Sequence, residues 1–188
     1  MKLLIELPTW LGDSVMTTPA IENLVSHFND VKITLIGSSL AVQVLENHPK
    51  VVNTYILDKT HKSLFRALQN LTEFDVFISF RSSLRSKLLK LFVSANRKFQ
   101  FDKKKYFRGH QVEKYNNFIN DCIGQDLSAK SLNVYQDVKL SIDIKTKTVG
   151  INPGASYGNS KRCYPEEFAK VAIELSSKYE IIIFGGID

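Results

Sequence analysis

The sequence has no run of about 18 apolar residues, the length that a helix needs to cross a bilayer. Glu6 and Pro8 interrupt the apolar N-terminal segment, and no small-residue cleavage site follows it, so no secretory signal is expected. These absences predict a cytoplasmic protein. The two cysteines, Cys122 and Cys163, lie far apart and have no cluster of other ligands beside them. A structural zinc site needs four closely paired Cys or His ligands, so we expect two reduced thiols and no metal site.

Two common nucleotide-binding motifs are also missing. The sequence contains neither the Gly-Lys-[Ser/Thr] of a P-loop nor the Gly-x-Gly-x-x-Gly of a dinucleotide fold. There is no internal repeat and no low-complexity tract. What remains is an ordinary globular composition of 188 residues, 44% hydrophobic and 23% charged. This length suffices for one full domain but is short for two.

Positive charge is concentrated in one segment. The net charge is +6, and residues 81–108 hold ten Lys and Arg with a single acid, Asp102. Such a patch indicates an anionic partner, either a nucleic acid, a phosphorylated lipid or a membrane surface, unless it is only a solvated helix face followed by a loop. Nucleic acid is not expected, because the aromatic residues of the segment are not interleaved as a stacking platform and no recognised binding motif appears.

Strand-length apolar runs alternate with segments of helical period. The predicted strands are 2–7, 31–37, 52–57, 75–80 and 97–101. The predicted helices are a first one with Pro19 in its first turn, then 41–46, 62–71, 81–92 and 111–122. Helix 81–92 is expected to bury the face that carries Leu84, Leu88, Leu91 and Phe92. The alternation predicts an α/β fold with a parallel sheet and helices on both faces.

A polar, Lys-rich stretch near residues 140–147 predicts a domain boundary. After it the pattern restarts with a strand at 148–152, a helix at 165–177 and a strand at 180–184. We therefore expect a first domain at 1–144 and the beginning of a second at 145–188. Two strands and one helix rarely form a stable core alone, so the second domain is expected to be truncated.

The segment 7–20 joins a strand to a helix and carries Gly12 and Asp13. Gly12 permits a tight turn or the close approach of a ligand. Asp13 is predicted at or just before the helix N-terminus, where two interpretations are open. It is either an N-cap carboxylate or a general base that takes a proton from a hydroxyl group.

The segment 150–166 is a Gly- and Ser-rich loop between a strand and a helix. Its free backbone N–H groups and the helix dipole can hold phosphate, and Lys161 and Arg162 add positive charge. The other interpretation is a surface loop before a helix that begins at Pro165. The candidate phosphate ligands are Asn152, Gly154, Ala155, Ser156 and Lys161.

Four blocks, taken in order, resemble one known family. They are PTWLGD with MTTPA at 8–20, RSSLRS at 81–86, GHQVEKY at 109–115, and NPGA through KRCYP at 152–165. Together they resemble the ADP-heptose:lipopolysaccharide heptosyltransferases of glycosyltransferase family 9, and the Trp-Leu-Gly-Asp and Gly-Ala-Ser-Tyr-Gly forms are most similar to heptosyltransferase II. The resemblance implies the GT-B fold, in which two Rossmann-like domains bind the acceptor and the nucleotide sugar.

The resemblance also implies a chemistry. Asp13 would be the general base for a hydroxyl of the first heptose of the lipopolysaccharide inner core, which attacks the anomeric carbon of ADP-heptose with inversion. The loop at 153–158 and Lys161 would stabilise the leaving diphosphate. The sequence has no Asp-x-Asp pair, which fits a metal-independent reaction with no cofactor besides the donor substrate.

The basic segment then acquires a candidate role. Gly12, Arg81 and Arg85 would contact the acceptor, which carries phosphates and acidic sugars on a lipid at the inner face of the inner membrane. Residues 103–105 would contact anionic headgroups and make the protein peripheral there. Two alternatives stay open, namely a related glycosyltransferase with another nucleotide sugar and a non-catalytic basic nucleotide- or nucleic-acid-binding module.

Overall fold

The computed structural model describes residues 1–28, 30–57, 67–135, 147–154, 162 and 164–185. Two compact units are present, Met1–Asp137 and Val138–Asp188. The predicted boundary at 144 lies outside the described residues. The strands are β1 (Lys2–Glu6), β2 (Lys32–Gly37), β3 (Val51–Ile56), β4 (Phe74–Ser79), β5 (Ala95–Gln100), β6 (Thr148–Ile151) and β7 (Glu180–Ile183). The helices are α1 (Leu11–His27), α2 (Ser39–Gln43), α3 (Leu84–Phe92), α4 (Gln111–Ile123) and α5 (Pro165–Ser176).

The first unit is built on a five-stranded parallel sheet. Its strand order is β3-β2-β1-β4-β5, and all four neighbouring pairs are parallel. A parallel sheet covered on both faces requires apolar runs rather than strict alternation, and β1 meets this with Leu3, Leu4 and Ile5 fully buried. The predicted α/β fold class is therefore confirmed for this unit.

Two apolar cores lie on opposite faces of the sheet. Leu3 and Ile5 point to one core, which contains Leu24 of α1 and Ile119 of α4. Leu4 points to the other, with Phe77 of β4, Leu89 and Val93. Half of the predicted helix 62–71 lies outside the described residues, and its part at 67–70 is helical.

Helix α1 begins earlier than the sequence predicted. Its first residue is Leu11, so Pro19 lies inside the helix and its placement in the first turn was wrong. An interior proline cannot donate to the carbonyl four residues before it, here Val15. The Thr18 hydroxyl donates to that carbonyl at 2.8 Å instead. This side-chain substitute is what allows the helix to continue through Pro19.

Helix α3 differs from its prediction in start and in orientation. It begins at Leu84 rather than 81, because Ser83 is its N-cap and accepts a hydrogen bond from the Ser86 backbone N–H at 3.2 Å. The side chains that it buries are Ser86 and Leu89. The apolar face predicted to be buried points outward, with Leu84 79% and Leu91 69% exposed. Contacts of Ser86 and Leu89 with the sheet thus fix the rotation of the helix.

The second unit, as far as it is described, contains one strand pair and one helix. β6 and β7 are parallel and pair from Thr148 to Ile151. The described helix α5 has no buried residue. Among the described residues of the whole chain, no helix is both long enough and apolar enough to cross a bilayer.

Candidate functional site

The strand order of the first unit reverses between β1 and β4. From β1 the chain moves outward through β2 to β3 and then returns to the other side of β1 with β4. In open parallel sheets ligands bind beyond the carboxyl ends of the strands where the order reverses, here between β1 and β4. The segments that leave these strands are 7–10 and 80–83, and we call the space beside them the β1/β4 crevice.

Asp13 lies in the first turn of α1, directly after the segment that leaves β1. The N-cap is Trp10, which makes no side-chain capping bond to the described residues. The interpretation of Asp13 as the N-cap was therefore wrong. Its carboxylate is partly exposed, and the positive end of the helix dipole stabilises its charge.

Gly12 precedes this carboxylate and has free space around it. A Cβ placed there would meet no other described atom within 4 Å. Packing of the fold therefore does not require a glycine at this position. A glycine here leaves the backbone open to the close approach of a ligand.

The hydroxyl group of Ser14 fixes the turn before α1. The Ser14 hydroxyl is buried and lies within bonding distance of two carbonyl oxygens, Pro8 at 3.3 Å and Trp10 at 3.1 Å. The Leu7 N–H donates to the Ile36 carbonyl at 2.9 Å, which ties the same turn to β2. The entry to α1, and with it Asp13, is thus held to the sheet.

Tyr115 of α4 is electrostatically coupled to Asp13. Burial raises the pKa of Tyr115 to about 12, and the negative charge of Asp13 acts in the same direction. The phenol therefore stays protonated at neutral pH. From the sequence, Tyr115 was only one apolar position on the face of a helix, and no local signal linked it to Asp13.

Arg81 follows β4 on the other side of the β1/β4 crevice. Its guanidinium Nη1 lies 3.7 Å from Oε1 of Glu6, and its carbonyl oxygen accepts a 3.1 Å hydrogen bond from Gln100. The Arg81 side chain is 20% exposed. Contacts with Glu6 and Gln100 therefore restrict the side chain and the backbone of Arg81, while part of the side chain remains accessible to solvent.

Glu6 is a buried carboxyl group that was not predicted as a site residue from the sequence. Only 1% of it is exposed, and it accepts hydrogen bonds from Ser79 Oγ at 2.6 Å and Ser86 Oγ at 2.8 Å. Burial raises its pKa, against the opposing effects of these hydroxyls and of the charges on Arg81 and Arg85. In the sequence, Glu6 is an acid at the end of an apolar run. It was interpreted only as an interruption of the apolar N-terminal segment and not as a buried carboxyl group.

The first unit therefore brings four of the predicted site residues to one sheet edge. Gly12 and Asp13 follow β1, Arg81 follows β4, and Arg85 lies in the first turns of α3 with its charge acting on Glu6. Asn152 and Gly154 belong to the second unit. Ala155, Ser156 and Lys161 lie outside the described residues, as does Cys163.

The loop between β6 and α5 is described only at its two ends. Asn152 and Gly154 follow β6, and Arg162 is exposed before α5. The first turn of α5 carries Glu166 and Glu167, whose charges offset the positive end of the helix dipole.

The basic segment is partly engaged in internal contacts. Arg97 Nη2 donates to the Cys122 carbonyl at 3.1 Å, and Lys105 pairs with Asp121 at 2.6 Å. Lys103 and Lys104 are exposed after β5, at the same sheet edge as the crevice.

Burial raises the pKa of the Cys122 thiol to about 12, so it stays protonated and unreactive.

His110 has a structural role. It is the N-cap of α4, where its Nδ1 accepts from the Val112 N–H at 3.4 Å and Glu113 accepts from the His110 N–H at 3.0 Å. Gly109 before it has a φ of 85°, which an L side chain rarely adopts. Among the described residues, no group of three His, Cys, Asp or Glu side chains is arranged to hold a metal ion.

Solved structures with this fold define the class. The glycosyltransferase family 9 protein from Veillonella parvula aligns with a TM-score of 0.80 at 20% identity, over 98% of this chain and 62% of that one. E. coli ADP-heptose LPS heptosyltransferase II aligns with a TM-score of 0.74 at 20% identity, over 99% of this chain and 65% of that one. E. coli heptosyltransferase WaaC with ADP aligns with a TM-score of 0.74 at 15% identity, over 100% and 69%. These alignments confirm the predicted GT-B-like fold class.

Curated relatives are more similar in sequence. Lipooligosaccharide heptosyltransferase 2 of Campylobacter jejuni serotype O:2 is 36% identical over 98% of this chain, which covers 60% of that protein. The protein of the same name from serotype O:6 is 35% identical with the same coverage. No family model matches the chain. The chain is thus a homologue of the lipooligosaccharide heptosyltransferases, as its motifs predicted, and spans about 60% of their length.

Proposed function

We propose that this chain is part of an inverting glycosyltransferase that moves heptose from ADP-heptose to the first heptose of the lipopolysaccharide inner core. The names of its relatives support this activity. The observation that carries the proposal is the placement of Asp13 and Arg81. They follow the two strands on either side of the switch point, so a carboxylate and a cation lie at the same edge of the sheet.

Asp13 is the proposed general base. As the acceptor hydroxyl attacks the anomeric carbon, its proton passes to the Asp13 carboxylate, the new glycosidic bond forms, and ADP leaves with the bonding electrons of the old one.

Arg81, Arg85 and Gly12 form the proposed acceptor site. Arg81 is suited to bind a phosphate or carboxylate, since a guanidinium offers paired donors and the contacts of Glu6 and Gln100 restrict its position. Gly12 leaves the backbone open for the sugar to approach. The acceptor would lie between the two strand ends.

The donor diphosphate is proposed to bind the loop after β6 through Asn152, Gly154, Ala155, Ser156 and Lys161. Backbone N–H groups and cations there would stabilise the negative charge that develops on ADP. The absence of an Asp-x-Asp pair from the sequence supports a metal-independent reaction, with ADP-heptose as the donor and no further cofactor.

The protein is further proposed to act at the cytoplasmic face of the inner membrane. Its acceptor is a lipid, and the segment 81–108 has ten Lys and Arg against one acid. Anionic headgroups attract such a segment at short range, by about 1 kcal/mol for each cation at the surface. Lys103 and Lys104, which are exposed, are the proposed headgroup contacts.

Transfer to a heptose–Kdo–lipid A acceptor tests the proposal. The chain is assayed alone and as a chimera that continues with the C-terminal part of the C. jejuni relative lying beyond the alignment. Heptose addition is followed by mass spectrometry. We expect transfer by the chimera, reduced by about 10²–10⁴-fold in Asp13→Asn.

Two outcomes would contradict the proposal. A folded chimera that transfers a different sugar, and not heptose, would favour the related glycosyltransferase with another donor. A folded chimera without transfer from any nucleotide sugar would favour a binding role.

A further inference from the structure

The outward face of α3 is apolar, which is unusual for a surface helix. Leu84, Leu88 and Leu91 are spaced by four and three residues and therefore share one side of the helix. Their exposed fractions are 79%, 45% and 69%, and that of the adjacent Phe92 is 64%. The opposite side, with Ser86 and Leu89, is buried against the sheet. We call these four exposed residues the α3 stripe.

Cations border the α3 stripe, and the sequence segment that contains it has no acid. Lys87 and Lys90 lie on the same helix, and Lys98 of β5 reaches its C-terminal end by donating to the Leu91 carbonyl at 3.4 Å. From residue 81 to residue 101 the sequence has six Lys and Arg and no Asp or Glu. An apolar strip flanked by lysines is the pattern of helices that lie in the interface of an anionic membrane.

We propose that the α3 stripe docks on the surface of an anionic lipid bilayer. The Leu and Phe side chains enter the boundary between headgroups and acyl chains, while the lysines extend their ammonium groups to the lipid phosphates. This assignment rests on the peripheral membrane association proposed above. The earlier proposal relied on contacts of Lys103 and Lys104 with headgroups. Here the apolar side chains of α3 also contribute to membrane binding.

Two other occupants fit the same surface less well. In a symmetric contact between two copies, the same patch meets itself, so the lysines that border one stripe would approach those that border the other and repel them. In a contact with another protein, lysine is a depleted residue type, whereas here it borders the apolar strip. A bilayer is the surface that accepts both the stripe and its lysines.

The position of α3 links docking to the proposed active site. The helix begins at Leu84, three residues after Arg81, at the edge of the sheet where the β1/β4 crevice lies. A bilayer against the stripe therefore lies next to the crevice. An acceptor whose lipid stays in the membrane would reach Arg81 without leaving it.

Co-sedimentation of the 188-residue chain with vesicles tests the assignment. The vesicles are phosphatidylcholine alone or phosphatidylcholine with phosphatidylglycerol, and neither donor nor acceptor is present. The test variant is Leu84→Gln with Leu91→Gln. Its matched control is Leu40→Gln with Leu132→Gln, two leucines that are 60% and 54% exposed elsewhere. Circular dichroism verifies that each variant is folded.

We expect binding to the phosphatidylglycerol vesicles to fall by about tenfold or more in the test variant, because two leucine side chains that would enter the bilayer are lost. The control binds like the parent chain. The variant Lys87→Gln with Lys90→Gln binds the phosphatidylglycerol vesicles more weakly, and its binding depends less on the salt concentration. In a second measurement, Phe92→Trp in a Trp10→Phe background, in which the new residue is the only tryptophan, shifts its emission to the blue on these vesicles.

Equal binding of parent and test variant, with no blue shift at position 92, would overturn the assignment and leave only electrostatic adsorption. No binding in any arm would overturn it too, and would favour an acidic protein partner. Failure of the docking proposal can be distinguished from failure of the proposed function. A chain that docks on vesicles without transferring heptose would contradict only the transfer. Heptose transfer to a detergent-dispersed acceptor without docking would contradict only the docking.

Discussion

Ser79 donates a 2.6 Å hydrogen bond to the buried carboxyl group of Glu6. These residues end β4 and β1, the two strands on either side of the switch point. Ser86 of α3 donates to the other carboxyl oxygen, and Arg81 lies 3.7 Å away. One side chain therefore joins two strands, a helix and a proposed acceptor residue, and this explains why a carboxyl group is retained at a fully buried position.

The first prediction concerns Glu6→Gln and pH. The folded-state pKa of Glu6 is raised above its ordinary 4.5, so the folded chain holds this proton more tightly than the unfolded chain. Its contribution to stability is fully present below about pH 4.5 and is lost as pH rises through the folded-state pKa. Glutamine does not titrate. In urea denaturation, the unfolding free energy of Glu6→Gln minus that of the parent should therefore increase with pH in this window.

Ser79→Ala provides the control for this explanation. The variant removes a hydrogen bond that lowers the pKa of Glu6, so the pH window in which stability is lost should move upward. Parallel pH profiles for the parent and Glu6→Gln would show that Glu6 does not titrate differently on folding.

The arrangement of elements followed from the sequence because each local signal agreed with the global fold. Apolar runs such as that at β1 occur in a sheet buried on both faces, and the described strands and helices other than α1 lie within a few residues of their predictions. Gly12, Asp13 and Arg81 were also found as candidates, because loops after parallel strands meet at one edge.

What the sequence did not reveal depends on contacts between distant residues. The rotation of α3 is set by Ser86 and Leu89 against the sheet, whereas periodicity alone favoured burying the larger apolar face. The start of α1 was misplaced because proline is read as a helix-initiating residue, and nothing local shows that a threonine hydroxyl replaces its missing bond. Glu6 acquires its partners only when β1, β4 and α3 come together.

The second prediction concerns the proline inside α1. Thr18→Val keeps the shape of the side chain but removes the hydroxyl that donates to the Val15 carbonyl and accepts from the Asn133 N–H at 3.1 Å. Leaving these groups without partners should lower the free energy of unfolding by about 1–3 kcal/mol. In a Pro19→Ala background the restored N–H can serve Val15, so the loss should be smaller. Equal losses in both backgrounds would refute this account of the helix.

The third prediction separates the proposed catalytic role of Asp13 from a structural one. Asp13→Asn removes a charge near the N-terminus of α1, which should lower stability by about 0.3–1 kcal/mol through the helix dipole. The rate of heptose transfer by the chimera should fall far more, by about 10²–10⁴-fold. Asp30→Asn is the matched control, because Asp30 is exposed before β2, at the opposite edge of the sheet. Unchanged kcat in Asp13→Asn would remove Asp13 from the mechanism.

The fourth prediction is that one glycine substitution stabilises the fold and impairs the function. Gly12→Ala adds a methyl group where no described atom lies within 4 Å, in the first turn of a helix. Alanine should therefore raise the unfolding free energy by about 0.4–1 kcal/mol. Gly124→Ala is the opposite case, since Gly124 also has space but has a φ of 67°, and it should be destabilised by about 1–2 kcal/mol. If the acceptor approaches the backbone at Gly12, the KM for acceptor should rise in Gly12→Ala while Gly124→Ala leaves it unchanged. A stabilised Gly12→Ala chimera with the KM of the parent would mean that the acceptor binds elsewhere.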